Sequence, residues 1–390
     1  MKGGTEHLWA MLSPWNTTGA TKSTTPSGIN NGSRRQEVYR EAKLHWCASL
    51  LYEIIRKGGD FTGIPETTCN QLRSDCLANR LRNQLLTSEL SALLQEFVKA
   101  GLAVVLLKGA ATFADDLYGS RGARTMLDLD LLVRPAQIET ARALLVARGY
   151  EEIPDEGKEF VGIPADQRHA HINGYRKPGT PVLVELHYNI AYGQGGRILS
   201  AVEGWLHTCE VEVDGAPALV LEPTYRLLHN TVHGLIPSCD YIKGKIRLWH
   251  LLEFAYLVHR YSDMIDWQVW LGAAAREKQT TAFLAWLLLA NRLLAVPLPE
   301  GISFGVWSRL HARRLANGTL LQGWEGVGQA GSGLSWLDRL CLLLHRGYYY
   351  LHLPGWVWRN VCYAEGWRNL PVRVRYFLTK MLRKRSWAKI

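Results

Sequence analysis

The sequence predicts an α/β (α+β) chain, a small sheet core flanked by helical regions at both ends. Three observations carry this. Short apolar runs of strand length at 103–107 and 127–133 alternate with helical stretches at 110–118 and 135–148. Upstream from about Gln36 and downstream from Glu222, apolar residues recur at helical spacing instead. An Asp214-Gly215 pair inside an alternating segment marks a hairpin over Val211–Val220.

Residues 1–35 are rich in Gly, Ser, Thr and Asn and read as a mobile, disordered arm. Residues 36–100 form the N-terminal helical region. Leu44, Leu50, Leu51, Ile54 and Ile55 stripe a first helix, and Leu86, Leu90, Leu93, Leu94 and Phe97 a second. Thr87 or Ser88 is placed to cap the second and Gly101 to end it. The core spans 101–221. Ala103–Leu107 is a buried-strand run broken by Lys108-Gly109; Ala110–Tyr118 is helical; Gly119–Arg124 is a loop; Leu127–Val133 is a second strand. Pro135–Arg148 is an amphipathic helix with Ile138, Ala141, Leu144 and Leu145 on one face and Gly149 as its stop. His169–Tyr175 and Val182–His187 are further strands. Residues 222–390 form a C-terminal helical domain, with helices at Tyr225–Leu235, Leu248–His259, Trp267–Lys278 and Thr281–Leu294, and then a basic aromatic tail.

Of 390 residues, 47% are apolar and 21% charged, which excludes wholesale disorder. No apolar run reaches the ~18 residues of a bilayer span, and the first residues lack a signal-peptide core. Seven scattered Cys without a CxxC argue against a disulfide framework and a cysteine zinc site and fit a reducing cytoplasm. The net charge is +10, but eight basic residues and no acid lie in 366–390, leaving +2 for the rest. Broad anion attraction therefore belongs to the tail, and a long nucleic acid is not favoured as the body's substrate.

The strongest local signal is Asp128-Leu129-Asp130-Leu131-Leu132-Val133. On a strand both Asp point to one face, about 7 Å apart, and the leucines to the other. Paired like charges on a core strand need a cation, and paired oxygen ligands suit Mg²⁺; a solvated sheet face is the alternative. Upstream, Leu106-Leu107-Lys108-Gly109-Ala110 stops a strand at glycine and opens a helix, where backbone N–H groups can meet phosphate. Downstream, Val182-Leu183-Val184-Glu185-Leu186-His187 offers a third carboxylate.

In order and spacing, LLKGAA, LYGSRGARTMLDLDLLV, ARALLVARGYEE and VLVELHYNI resemble the little-characterised nucleotidyltransferase-like family of the DNA polymerase β superfamily, over roughly residues 80–295. The resemblance implies a small mixed-sheet nucleotidyltransferase core. It implies that Asp128, Asp130 and Glu185 are catalytic and hold metal, two Mg²⁺ (or Mn²⁺) ions bridging a nucleotide's phosphates. Glu185 would also orient or deprotonate the acceptor hydroxyl. Lys108, Gly109 and Arg124 would bind the nucleotide. The implied reaction is attack on the α-phosphorus of a donor, a nucleoside triphosphate such as ATP by default, by a small-molecule or peptide hydroxyl. The resemblance also implies a tailoring step in natural-product or peptide biosynthesis. Two positions depart from the pattern: Ala110 replaces the superfamily's Ser, and Tyr188 replaces Trp after the ELH triplet. A nucleotide-sugar-dependent transferase, an RNA- or tRNA-directed transferase or toxin, and a non-catalytic binding module stay open.

Other candidates line up around this core. His229 and His233 share a helix face at i,i+4 spacing, for which zinc, a site-lining role and packing are all open. His169 and His171 on one strand, and His187 two residues after Glu185, could line the same cleft or serve as hydrogen-bonded sheet histidines. In the tail, Val372–Lys389 is a basic amphipathic stretch. It suits RNA, a membrane surface or a partner protein, or a helical core with a solvated basic face.

Overall fold

A computed structural model describes residues 8, 11–17, 38–43, 45–59, 61, 64–153, 170–236, 241 and 246–325. The expected tail, with its Val372–Lys389 stretch, lies outside the described residues. In chain order the elements are α1 (Ala48–Gly58), α2 (Glu66–Lys99), β1 (Val105–Leu106), α3 (Thr112–Asp115), β2 (Leu129–Leu132), α4 (Ile138–Ala147), β3 (Glu151–Glu152), β4 (Tyr175–Arg176), β5 (Leu183–His187), α5 (Gln194–Ile198), α6 (Ala201–Leu206), β6 (Thr208–Val213), β7 (Ala216–Leu221), α7 (Pro223–Leu235), α8 (Leu248–Tyr261), α9 (Trp267–Arg276), α10 (Thr280–Leu294) and α11 (Val306–Glu325).

The strands form one mixed seven-stranded sheet in the order β3-β4-β5-β2-β1-β7-β6. β2 pairs in parallel with β5 and antiparallel with β1, and β1 pairs in parallel with β7. The β6–β7 hairpin closes at Asp214-Gly215, both at positive φ (47° and 77°), as a tight primed turn demands.

Strand alternation divides the apolar core in two. Leu106, Leu129, Leu131, Val133, Val184 and Leu186 face one way and pack with the second half of α2 and with α4. Val105, Leu107, Leu132 and Leu221 face the other way and join α1 and the helices after β7. The second layer contains the two fully buried tryptophans Trp270 and Trp286. Gly101 and Gly149 sit at φ 71° and 80° just past α2 and α4, the left-handed stops the sequence predicts.

Three expectations need correction. The second helix does not start at Thr87 or Ser88 but at Glu66 and runs 34 residues. Its buried stripe continues upstream through Thr68, Leu72, Cys76, Asn79 and Asn83, where polar residues hide the periodicity. Thr87 instead donates its hydroxyl to the Asn83 carbonyl at 2.7 Å. The helix expected over 110–118 is one turn, ended by Asp116 at φ 46°. Part of the expected arm is built into the core: Leu8 and Leu12 are fully buried, and Ser13 Oγ donates to the Leu294 carbonyl at 2.6 Å. Among the described residues no helix is long and apolar enough to cross a membrane.

The two-layer packing makes a stability prediction. Leu131→Ala, in a fully buried site, should cost about 3 kcal/mol in urea unfolding. Leu77→Ala, on the 51% exposed side of α2, should stay within about 0.5 kcal/mol of wild type.

Candidate functional site

Asp130 and Glu185 are paired neighbours across the parallel β2–β5 ladder, and Leu132 pairs with His187. Alternation puts Asp130, Glu185 and His187 on the sheet face that meets the C-terminal helices. Their ligand atoms all lie within 4.8 Å of one another. Asp130 is 1% exposed. Such a buried carboxylate must be neutralised, and two groups do it. Lys108 Nζ donates to Asp130 Oδ1 at 2.5 Å, and His187 Nε2 lies 2.9 Å from the same oxygen. Lys108 reaches it from the turn after β1, with its backbone in the left-handed region at φ 47°.

The electrostatics follow from this packing. Burial alone would raise the Asp130 carboxyl, but Lys108 and His187 outweigh it and hold it well below the usual carboxylate range. Burial would likewise lower Lys108 and His187, yet the acids around them win and raise both. His187 is therefore suited to be an imidazolium, with Nδ1 3.3 Å from the Asn189 carbonyl and Nε2 on Asp130. Its Nε2 is also 3.6 Å from Glu185 Oε2. Burial raises Glu185 too, but His187 outweighs it and leaves that carboxyl lowered. Asp128 precedes the first ladder residue of β2 and is not in the close group. Burial and then the Asp130 charge push it up to about 6.

The remaining candidates separate. His171 joins the group's edge through a bridge to His187, with rings 4.9 Å apart and Nε2 3.6 Å from Glu185 Oε2. His169 lies outside the described residues. Arg124 is buried and forked onto Glu253 Oε2, at 3.0 Å from both Nε and Nη2, and stacks on Trp249 with its guanidinium carbon 4.5 Å from the ring centre. Asn79 and Asn83 of α2 fix it by donating to its carbonyl, each at 2.8 Å. Gly109 is required for a packing reason: a Cβ there would overlap the Arg124 guanidinium and Met126 Sδ. The helix that follows, α3, is one turn long.

His229 and His233 of α7 do not join the acid group. They line a separate small cavity with Lys108, Arg124, Arg226 and Glu253. Sequence reasoning missed Arg226, Asn230, His250 and Glu253. Two signals were available. Arg226, His229, Asn230 and His233 recur at i, i+3, i+4, i+7 on an otherwise apolar helix, and Glu253 is a lone acid in the apolar run of α8.

The cavity histidines set a pH dependence. Burial lowers His229 and His250 to about 3 and takes His233 well below its ordinary value. They stay neutral in the folded chain and charge near 6.5 in the unfolded one, so their stabilisation is lost as pH falls below about 6.5. Raised His187 and raised Asp128 act the other way, but they are fewer. Lowering pH from 7.5 to 5 should therefore reduce the unfolding free energy, by about 1.4 kcal/mol per pH unit for each excess proton on the unfolded chain. Urea midpoints that rise through this window would contradict the assignment.

A family model described as "Uncharacterised nucleotidyltransferase" matches residues 31–295, more than half of the chain. Among solved structures, the antibiotic-resistance factor ANT(2'')-Ia is similar at 11% identity and a TM-score of 0.33, over 52% of this chain and 96% of that one. An antigenic nucleotidyltransferase-like protein from Paracoccidioides brasiliensis is similar at 18% identity and a TM-score of 0.32, over 51% and 90%. Neither likeness is close enough to bear on what this chain acts on. No curated protein matches the sequence.

Proposed function

The chain belongs to the family of uncharacterised nucleotidyltransferases, and on that footing we propose that it transfers a nucleotidyl group from a nucleotide donor to a hydroxyl of a small molecule or peptide. The observation that carries this is the convergence of Asp130, Glu185 and His187 within 4.8 Å on one sheet face. Two carboxylates and an imidazole are a donor set for a hard divalent cation, and the imidazole makes Mn²⁺ as suitable as Mg²⁺. Bound there, the cation would supply charge neutralisation for the donor's phosphates. The close group offers ligands for one ion; the second ion implied by the resemblance would need Asp128 to join.

The chain's own residues divide the work. Asp130, Glu185 and His187 would hold the cation once Lys108 gives up its bond to Asp130 and His187 Nε2 gives up its proton, since only the neutral imidazole has a lone pair to offer. Lys108 is then free to pair with a phosphate oxygen. The acceptor oxygen forms the new bond to the α-phosphorus as the bond to pyrophosphate breaks. The hydroxyl proton goes to a carboxylate. The resemblance gives that role to Glu185, and Asp128, outside the close group, is the alternative.

A thermal-shift panel with Mg²⁺ or Mn²⁺ and nucleoside triphosphates, diphosphates and nucleotide sugars tests this. A donor at ~100 times its dissociation constant should add about 2.7 kcal/mol, the shift with metal exceeding that in a chelator, and Asp130→Asn should abolish this metal-dependent part. A shift with nucleotide sugars alone would change the donor class. No metal-dependent shift, or one indifferent to Asp130→Asn, would sink the proposal in favour of a binding module.

A further inference from the structure

Beside the acid group, α7 presents a polar stripe to the interior. Arg226, His229 and Asn230 are 6%, 3% and 5% exposed. Several of the stripe's atoms have no hydrogen-bond partner: Arg226 Nε and Nη2, His229 Nε2, Asn230 Oδ1 and His233 Nδ1. Each unmet buried polar atom costs about 1–3 kcal/mol, so several on one helix face call for something that meets them. They surround a cavity of about 30 Å³ that Lys108 also lines. That is room for about two waters, or for a compact tetrahedral group in their place, and not for a sugar or base.

The chemistry favours an anion. Three cations, Lys108, Arg124 and Arg226, line the cavity, each with a carboxylate partner, Asp130, Glu253 and Asp115, so the case for an anion rests on the donors left unmet. Arg124 is occupied by Glu253. Arg226 reaches Asp115 through Nη1 alone, which leaves the Nε and Nη2 edge unmet. That edge is a planar fork matched to phosphate oxygens. A neutral His229 can turn an Nε2–H donor to the same place. Lys108 contacts Asp130 and also lines this cavity, so the subsite adjoins the acid group.

We propose that this cavity is a subsite for a phosphoryl group, bound by Arg226 and His229 with Lys108 on the side shared with Asp130. Only the source of the phosphate rests on the transferase reading: the end of the donor's phosphate chain, or a phosphate carried by the acceptor.

The test uses the full chain with a chelator present, so that the acid group's metal plays no part. Melting midpoints are measured with inorganic phosphate, tripolyphosphate, a nucleoside triphosphate and a nucleoside monophosphate, against KCl at matched ionic strength. Phosphate compounds should raise the midpoint beyond the KCl control. Half-saturation should move up about tenfold or more in His229→Leu. The same should hold in Arg226→Lys, which keeps a cation for Asp115 but loses the fork. A response to tripolyphosphate and triphosphate only would assign the subsite to the donor; a response to inorganic phosphate or monophosphate as well would assign it to an acceptor's phosphate. No shift beyond KCl, or equal shifts in wild type and both variants, would overturn the subsite and leave these atoms to buried water. Asp130→Asn should keep the chelated response, so failure of the metal-dependent reading and failure of this one are told apart.

Discussion

A carboxylate at 1% exposure in the middle of a sheet is the constraint around which the rest is arranged. Asp130 cannot stay ionised there without partners, and the fold delivers two from opposite sides. Lys108 comes from the turn after β1 and His187 from the end of β5. Both deliveries depend on strand pairing. The antiparallel β1–β2 pair sets where the Lys108 turn falls, and the parallel β2–β5 register sets Glu185 beside Asp130 and His187 a step beyond. A slip of one residue in either ladder would send these groups to the apolar face.

A second buried charge, Glu253, ties the helical layer to the same region. It accepts from Arg124, whose loop is itself held by Asn79 and Asn83 of α2. Helices from both ends of the chain thus fix one loop, and Gly109 leaves the space that the guanidinium fills. The site is a meeting of elements far apart in sequence, which suits precise placement of charged groups on a rigid scaffold.

Much of this was legible in the residues. The alternation of Asp128–Val133 and Val182–His187 marks strands with acids on one face, and β2 and β5 are strands whose register brings Asp130 and Glu185 together. The hairpin at Asp214-Gly215 and the stops at Gly101 and Gly149 follow from local backbone chemistry. What was not legible came from tertiary context. The first half of α2 buries Thr68, Asn79 and Asn83 on its inner face, so an apolar-periodicity reading sees no helix there. Asp128 and Asp130 look equivalent in sequence, but β2 begins between them and only Asp130 is locked into the ladder. The packing neighbours of Arg124 and Gly109, Glu253 and Met126, could be found only by folding the chain.

The contact between Ser13 and the Leu294 carbonyl bears on how the molecule comes together. It joins residues 281 positions apart, while β1 must wait for β7 to pair in parallel across more than a hundred positions. Long-range pairings of this kind pay loop-closure entropy before they return any contact energy, and they slow folding. During synthesis Trp15 has no His259 ring to meet until α8 exists, and Ser13 no Leu294 carbonyl until α10 does. The segment around Ser13 is thus secured late, and the interval before α8 and α10 emerge is when it is open to aggregation or capture by chaperones.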